Sequence, residues 1–319
     1  MTMPPAPPPD AAPGGPAAAI EVAKVSKWYG NVVAVNDISF TLGAGITGLL
    51  GPNGAGKSTM LHMLSGFLRP SAGSVRVLGQ SAWRNPAIYA QVGLVPEREA
   101  VYPFLTGWEF VRLSARLQGL PDPDAAARRA IAEVDLASAQ DRPTGGYSKG
   151  MKQRVKIAAA IVHDPRILVL DEPFNGADPR QRLHMMAMLR RMAAEGRTIV
   201  FSSHILEEVE RLAEDVLVIV SGRLAASGDF RGIRRLMIDR PHTFNVRSSD
   251  NRRLAAVLVG VPAVTGVDLE DTRLSVRSSD FGALTRALAP LAREAGVSLF
   301  EVLPADESLE SVFSYLVKR

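Results

Sequence analysis

The sequence predicts an α/β fold with a mainly parallel sheet, followed by a smaller α+β region. Three observations carry this. From Ile20 to about Gly228, short apolar runs such as "GITGLLG", "RILVLDE", "RTIVFSSH" and "DVLVIVSG" alternate with helical patterns, as strands buried on both faces of a parallel sheet do. The stretches between them, such as Ser58 to Phe67 and Arg180 to Glu195, are long enough for right-handed crossovers. After about Phe230 the texture changes, and the pentapeptide "VRSSD" occurs twice, at 246–250 and 276–280.

Taken in order, residues 1–19 are rich in Pro, Ala and Gly and lack the basic start and apolar run of a secretory signal, so a disordered tail is expected. The main domain is expected over 20–230. Within it, Leu105 to Ala139 holds helical patterns and no strand-like run, which predicts a helical insertion inside about 97–160. "YSKGMKQR" sets a small Ser-Lys-Gly turn before the helical pattern "MKQRVKIAAAIV". Such a turn offers backbone N–H groups and a positive dipole end to an anion. Each copy of "VRSSD" ends a strand-like run and precedes a helix, starting at Asn251 and Phe281, with Ser and Asp as natural N-caps. "VSLFEVL" adds a strand and "SLESVFSYLVKR" a terminal helix. This β-α-β-β-α-β-α order predicts a ferredoxin-like accessory domain over 241–319 with a weak internal duplication; for the pentapeptide alone, chance repetition in an Arg-rich chain stays open.

Composition narrows the function classes. A chain of 319 residues with 46% hydrophobic and 22% charged residues is an ordinary soluble globular protein. The absence of cysteine excludes disulfides and Cys-based metal sites. A net charge of +4 is a weak pull towards nucleic acid or anionic lipid, and no nucleic-acid partner is expected. No stretch approaches the roughly 18 apolar residues of a membrane span. The longest apolar stretch, "LAAVLVGVPAV" from Leu254, is short and broken by Gly and Pro. The expectation is a cytoplasmic protein that does not itself cross a membrane.

Two stretches carry the chemistry. "GPNGAGKS", Gly51 to Ser58, lies between a strand-like run and the apolar helix "STMLHMLSGFL". Its glycines let the backbone of Gly51, Pro52, Asn53, Gly54, Ala55 and Gly56 curl around phosphate oxygens, with Thr59 completing the nucleotide-binding stretch. Lys57 is placed to reach the β- and γ-phosphates and Ser58 to bind Mg²⁺. "ILVLDEP" is a buried strand ending in Asp171 and Glu172. Asp171 can hold Mg²⁺ through water, and Glu172 can polarise an attacking water. His204, at the end of "FSSH", is a candidate γ-phosphate sensor. Tyr29, in "KWYGNV", is a candidate for stacking on adenine, against a core role for the ring and competition from Trp28.

The set "WYG", "GPNGAGKST", "YSKGMKQR", "ILVLDEP", "NGADP" and "SSH", in this order over about residues 20–230, resembles the ATP-binding-cassette ATPases. The resemblance implies a P-loop cassette with an antiparallel β subdomain beside the parallel core, and ATP and Mg²⁺ as cofactors. It implies head-to-tail pairing with a second cassette subunit, expected to be another copy of this chain. Ser148, Lys149, Gly150 and Met151 then close over ATP held by the partner's phosphate loop. Asp178 matches the aspartate of the loop "NGADP", and Glu97, in "VGLVPEREAVYPFLT", takes the place of the family's Q-loop glutamine, where a carboxylate can meet Mg²⁺ or water. The family signature Leu-Ser-Gly-Gly-Gln is here Tyr-Ser-Lys-Gly-Met, and Asn175 and Ala177 stand where Ser and Leu are common. These variants look like the subgroup serving bacterial exporters of drugs, lipids or glycans.

The resemblance therefore implies the ATPase subunit of a membrane exporter, working with a polytopic permease. In such transporters the region around "YPFLTGWEF", with Tyr102, Phe104, Leu105, Trp108 and Phe110, receives a permease helix; an ordinary insertion core is the plainer reading of those residues. Two alternatives stay open. One is a soluble cassette ATPase acting on ribosomes or DNA, although that class usually carries tandem cassettes or a long coiled-coil insertion. The other is a nucleotide-binding protein without turnover, against which Glu172 argues.

Overall fold

The structure, a computed structural model, describes residues 18–98, 101–229, 233, 242–270 and 272–304. The expected N-terminal tail up to residue 17 and the expected terminal helix at 308–319 lie outside the described residues. The chain divides into two compact units, Met1–Thr47 with Gly56–Ser202, and Gly48–Ala55 with Ser203–Arg319.

In the first unit, β1 (Ile20–Tyr29) and β2 (Val32–Leu42) pair antiparallel, and β1 also pairs antiparallel with β4 (Ala72–Val77). With β5 (Gln80–Ser81) they form a four-stranded sheet in the order β2-β1-β4-β5. Val25, Val35, Ile38, Val75 and Val77 supply its buried face. A six-stranded sheet contains β3 (Gly45–Leu50), β6 (Val92–Val95), β7 (Ile167–Asp171), β8 (Thr198–Ser202), and, from the second unit, β9 (Asp215–Val220) and β10 (Arg223–Gly228), in the order β10-β9-β3-β8-β7-β6. The β6–β7 and β7–β8 pairs are parallel. Every residue of β7 and β8 is buried, which is why both read as unbroken apolar runs rather than alternating ones. Edge strand β10 pairs antiparallel and alternates in exposure.

The helices begin where local chemistry starts them. In chain order they are α1 (Lys57–Leu64), α2 (Pro86–Tyr89), α3 (Gly107–Leu117), α4 (Pro123–Glu133), α5 (Lys149–Ile161), α6 (Pro179–Ala194) and α7 (Leu206–Leu212). Thr106 and Glu109 make a reciprocal capping box on α3, and Asp122 caps α4. Helix α1 stops at Leu64, short of the expected Phe67, because Gly66 takes a left-handed φ of 73° and ends the helix. Helices α3 and α4 pack on each other and on α5.

Beyond β10, the described elements are β11 (His242–Ser248), α8 (Asn251–Leu258), β12 (Val264–Leu269), β13 (Leu274–Ser278), α9 (Phe281–Glu294) and β14 (Leu299–Pro304). Their sheet runs β12-β13-β11-β14, with antiparallel pairing throughout. Phe244, Val246, Leu254, Leu258, Leu274, Val276, Leu284 and Leu288 form a core of their own. The repeated pentapeptide has one job done twice. Its valine, Val246 or Val276, points into that core, and its aspartate caps the next helix. Asp250 accepts the Arg253 N–H and Asp280 the Ala283 N–H, both at 2.9 Å. Asp250→Ala and Asp280→Ala are each expected to lower stability by about 1 kcal/mol, read as a lower denaturation midpoint at unchanged slope in urea.

Candidate functional site

The loop from Gly51 to Gly56 joins β3 to α1. Its shape demands glycine at two points. A Cβ on Gly51 would lie 2.3 Å from the Ile219 carbonyl oxygen, and one on Gly56, at φ 104°, would lie 2.4 Å from that of Ala34. The Ala55 N–H closes a turn on the Pro52 carbonyl at 3.1 Å, while Asn53 and Gly54 stay exposed. Gly56 is the N-cap of α1 and has no side chain to cap it, and the first turn carries no acidic residue. Gly56 brings no side-chain acceptor to this helix start, and backbone N–H groups at a helix start suit an anion. Lys57 is the first helical residue and is buried; Ser58 and Thr59 follow on the same turn, half-buried.

Helix α1 packs against β7 and β8, and those strands end at the carboxylates. The parallel register sets Asp171 opposite Ser202. The Ser202 hydroxyl donates to Asp171 Oδ1 at 2.5 Å and accepts the Glu172 N–H at 2.9 Å. One hydroxyl thus holds both acidic residues. Asp171 is buried, whereas Glu172 is half-buried. Glu172 adopts a left-handed φ of 50°, as Lys24, Leu78 and Arg84 also do, a conformation uncommon for residues that carry a side chain. The Glu172 carbonyl takes a hydrogen bond from Gln153 Nε2 at 3.3 Å, so both main-chain polar groups of this residue are tied down.

Among the described residues, no three His, Cys, Asp or Glu side chains group to hold a metal. A sparse set of one hydroxyl and one buried carboxylate, Ser58 and Asp171, suits Mg²⁺, which keeps most of its ligands as water and phosphate oxygen.

Ser148 is the N-cap of α5, and its Oγ accepts the Met151 N–H at 3.2 Å. Gly150 is buried: a Cβ there would lie 2.8 Å from both the Gly176 carbonyl and Gln181 Oε1. The turn therefore packs on the segment "NGADP", whose Asp178 caps α6 by accepting the Gln181 N–H at 2.9 Å. Ser148, Lys149 and Asp178 remain exposed. Tyr147, in place of the family's leucine, is buried, and its hydroxyl donates to the Ala139 carbonyl at 2.7 Å, fastening this turn to the helical insertion. Burial pushes the Tyr147 phenol above its usual value, with the Arg142 charge opposing.

Tyr29 and Trp28 are 49% and 46% exposed, so neither is a core aromatic. His204 is exposed in a turn held by Ser203, whose hydroxyl accepts the Ile205 N–H at 3.0 Å and donates to Glu208 at 2.6 Å. Glu97 is exposed in the turn after β6. The aromatic cluster at 102–110 divides: Phe110 is buried, but Tyr102 and Phe104 stand at the surface. Sequence reasoning missed Ser202, Gln153 and a largely apolar cleft of about 560 Å³ whose lining includes Phe67, Trp83, Tyr89, Phe110 and Leu117. Ser202 stood in the quoted "FSSH", but only strand register reveals what it faces.

Comparison with known proteins agrees with this geometry. The ABC transporter family model matches residues 35–175. The daunorubicin/doxorubicin resistance ATP-binding protein DrrA of Streptomyces peucetius is 36% identical over 287 residues, covering 87% of this chain and 86% of that protein. The chain belongs to the ABC transporter family. An ABC transporter ATP-binding protein of Nostoc is 42% identical over 204 residues, 62% of this chain and 60% of that protein's length. A solved ATP-binding subunit of an ABC transporter superposes with a TM-score of 0.62 at 31% identity, covering 68% of this chain and 92% of that one. The cassette is an ATP-binding subunit with ATP hydrolysis as its chemistry and ATP and Mg²⁺ as its cofactors. Among the described residues, no helix is long and apolar enough to cross a membrane.

Ser202→Ala leaves the Asp171 oxygen and the Glu172 N–H short of a partner. It is expected to lower stability by about 1–3 kcal/mol and to cut kcat at least tenfold, with the KM for ATP little changed, in steady-state phosphate release assays.

Proposed function

We propose that this cassette powers an exporter. It works on the cytoplasmic face of the membrane, bound there through a separate polytopic permease subunit, and pairs head to tail with a second copy of itself around two ATP molecules. The observation that carries the catalytic part is the pinned, left-handed Glu172 beside buried Asp171 at the end of β7. In this reading the backbone of Gly51–Gly56 with Lys57 and Thr59 grips the phosphates. Ser58 and Asp171 hold Mg²⁺, which supplies charge neutralisation at the β- and γ-phosphates, with Glu97 near it. Glu172 takes the proton of the attacking water, His204 senses the γ-phosphate, and Tyr29 stacks on adenine. Ser148, Lys149, Gly150 and Met151 face ATP in the partner copy, and Asp178 sits at the seam between copies.

The export direction is supported by the drug-resistance relative and by the Tyr-Ser-Lys-Gly-Met signature. A permease is supported by the apolar cleft, where Phe67 and Leu117 are 70% and 81% exposed. Such large exposed apolar side chains around one cleft suit a partner helix. The soluble-factor alternative offers no use for that cleft, and no nucleic acid is needed. Residues 241–319 are read as a ferredoxin-like accessory domain with a role in pairing or regulation, on analogy of fold.

Glu172→Gln is expected to bind Mg-ATP as tightly as the unsubstituted protein, to lose at least 99% of turnover (about 10²-fold or more), and to accumulate as an ATP-bound dimer in size-exclusion chromatography. Unchanged turnover removes the general-base role. A chain ending at residue 240 should still bind ATP; loss of binding argues against a separate accessory domain.

A further inference from the structure

Helix α5 carries three buried polar side chains, Gln153, Arg154 and Lys156, each no more than 5% exposed. Each donates to main-chain carbonyls of a different segment. Gln153 reaches Glu172, as described. Arg154 Nη1 donates to the carbonyls of Val134 and Asp135, at 3.1 and 2.7 Å, at the end of α4. Lys156 Nζ donates to Pro96, Arg98 and Glu97, at 2.8, 3.2 and 3.4 Å. An ammonium removed from water is costly unless its donors are satisfied. Here the chain leaving β6 at Val95 turns so that three successive carbonyls converge on one cation. The middle residue of that turn is Glu97.

We propose that Lys156 is a positioning residue for ATP hydrolysis. It binds the turn that carries Glu97 to the helix that begins at Ser148, so that the turn and the helix move as one piece. Lys156 and Pro96 also line the apolar cleft. This rests on the reading that Glu97 and Ser148 serve the nucleotide.

The test compares the full chain with Lys156→Met, Lys156→Gln, Lys156→Arg and Glu97→Ala, measuring kcat and KM for Mg-ATP, thermal unfolding, and hydrogen exchange of peptides spanning 92–98. Lys156→Met is expected to lower kcat about tenfold, with KM changed by less than about twofold and exchange accelerated in that peptide. Lys156→Arg, which keeps a cationic donor, restores more than about half of kcat. Glu97→Ala lowers kcat without accelerating exchange. If Glu97→Ala lowers kcat and Lys156→Met does not, the inference fails and the reading of Glu97 stands. If Glu97→Ala leaves kcat unchanged, the reading of Glu97 fails and takes the inference with it. If Lys156→Met and Lys156→Gln both fail to fold or lose ATP binding, Lys156 is structural and the positioning role is overturned.

Discussion

The Ser202 hydroxyl, donating to Asp171 and accepting from the Glu172 N–H, is the interaction on which the site turns. It exists because β7 and β8 are parallel and in a register that sets Asp171 against Ser202. Each strand is buried along its whole length, so the register is fixed by a core that tolerates no slip. Two carboxylates at a strand end would otherwise be mobile and hydrated. The buried hydroxyl holds the Asp171 carboxylate and the Glu172 N–H, and the left-handed φ of Glu172 sets where its side chain leaves the backbone, before any ligand arrives. That is the preorganisation on which electrostatic catalysis depends.

Helix α5 extends this control outward. Its N-cap is Ser148, its middle touches the Glu172 carbonyl through Gln153, and its next turn holds the 96–98 carbonyls through Lys156. Arg154 is buried on the same helix, and desolvation pulls its guanidinium below the usual arginine value while Asp135 opposes the shift. Buried cations and amides that donate to main-chain carbonyls fix loops through groups every residue carries. They explain how three segments can be held in place by one helix.

Much of the fold was legible because its signals are local. Unbroken apolar runs marked β7 and β8, and the caps Asp250 and Asp280 marked two helix starts. The Gly51–Ser58 loop was legible because glycine is demanded by close backbone approach at Gly51 and Gly56. Ser202, Gln153 and Lys156 were not legible. A serine before a histidine, or a lysine on a helical face, is by default a solvated polar residue, and only tertiary register buries these. The aromatic cluster at 102–110 shows the same limit, since spacing could not tell buried Phe110 from exposed Phe104.

A shared site makes one demand that a self-contained site does not. In the proposed homodimer, Lys57→Ala damages the phosphate loop and Ser148→Arg blocks the signature turn, so each variant alone has two defective sites. Random pairing of equal amounts gives about half mixed dimers, each with one sound site of two, so at most about a quarter of turnover returns. The decisive measurement is ATP occlusion in the mixture, read as retained nucleotide after rapid gel filtration. One ATP held per mixed dimer, with each variant alone holding none, is the predicted result. No occlusion and no recovered turnover on mixing would contradict a site built from two copies of this chain.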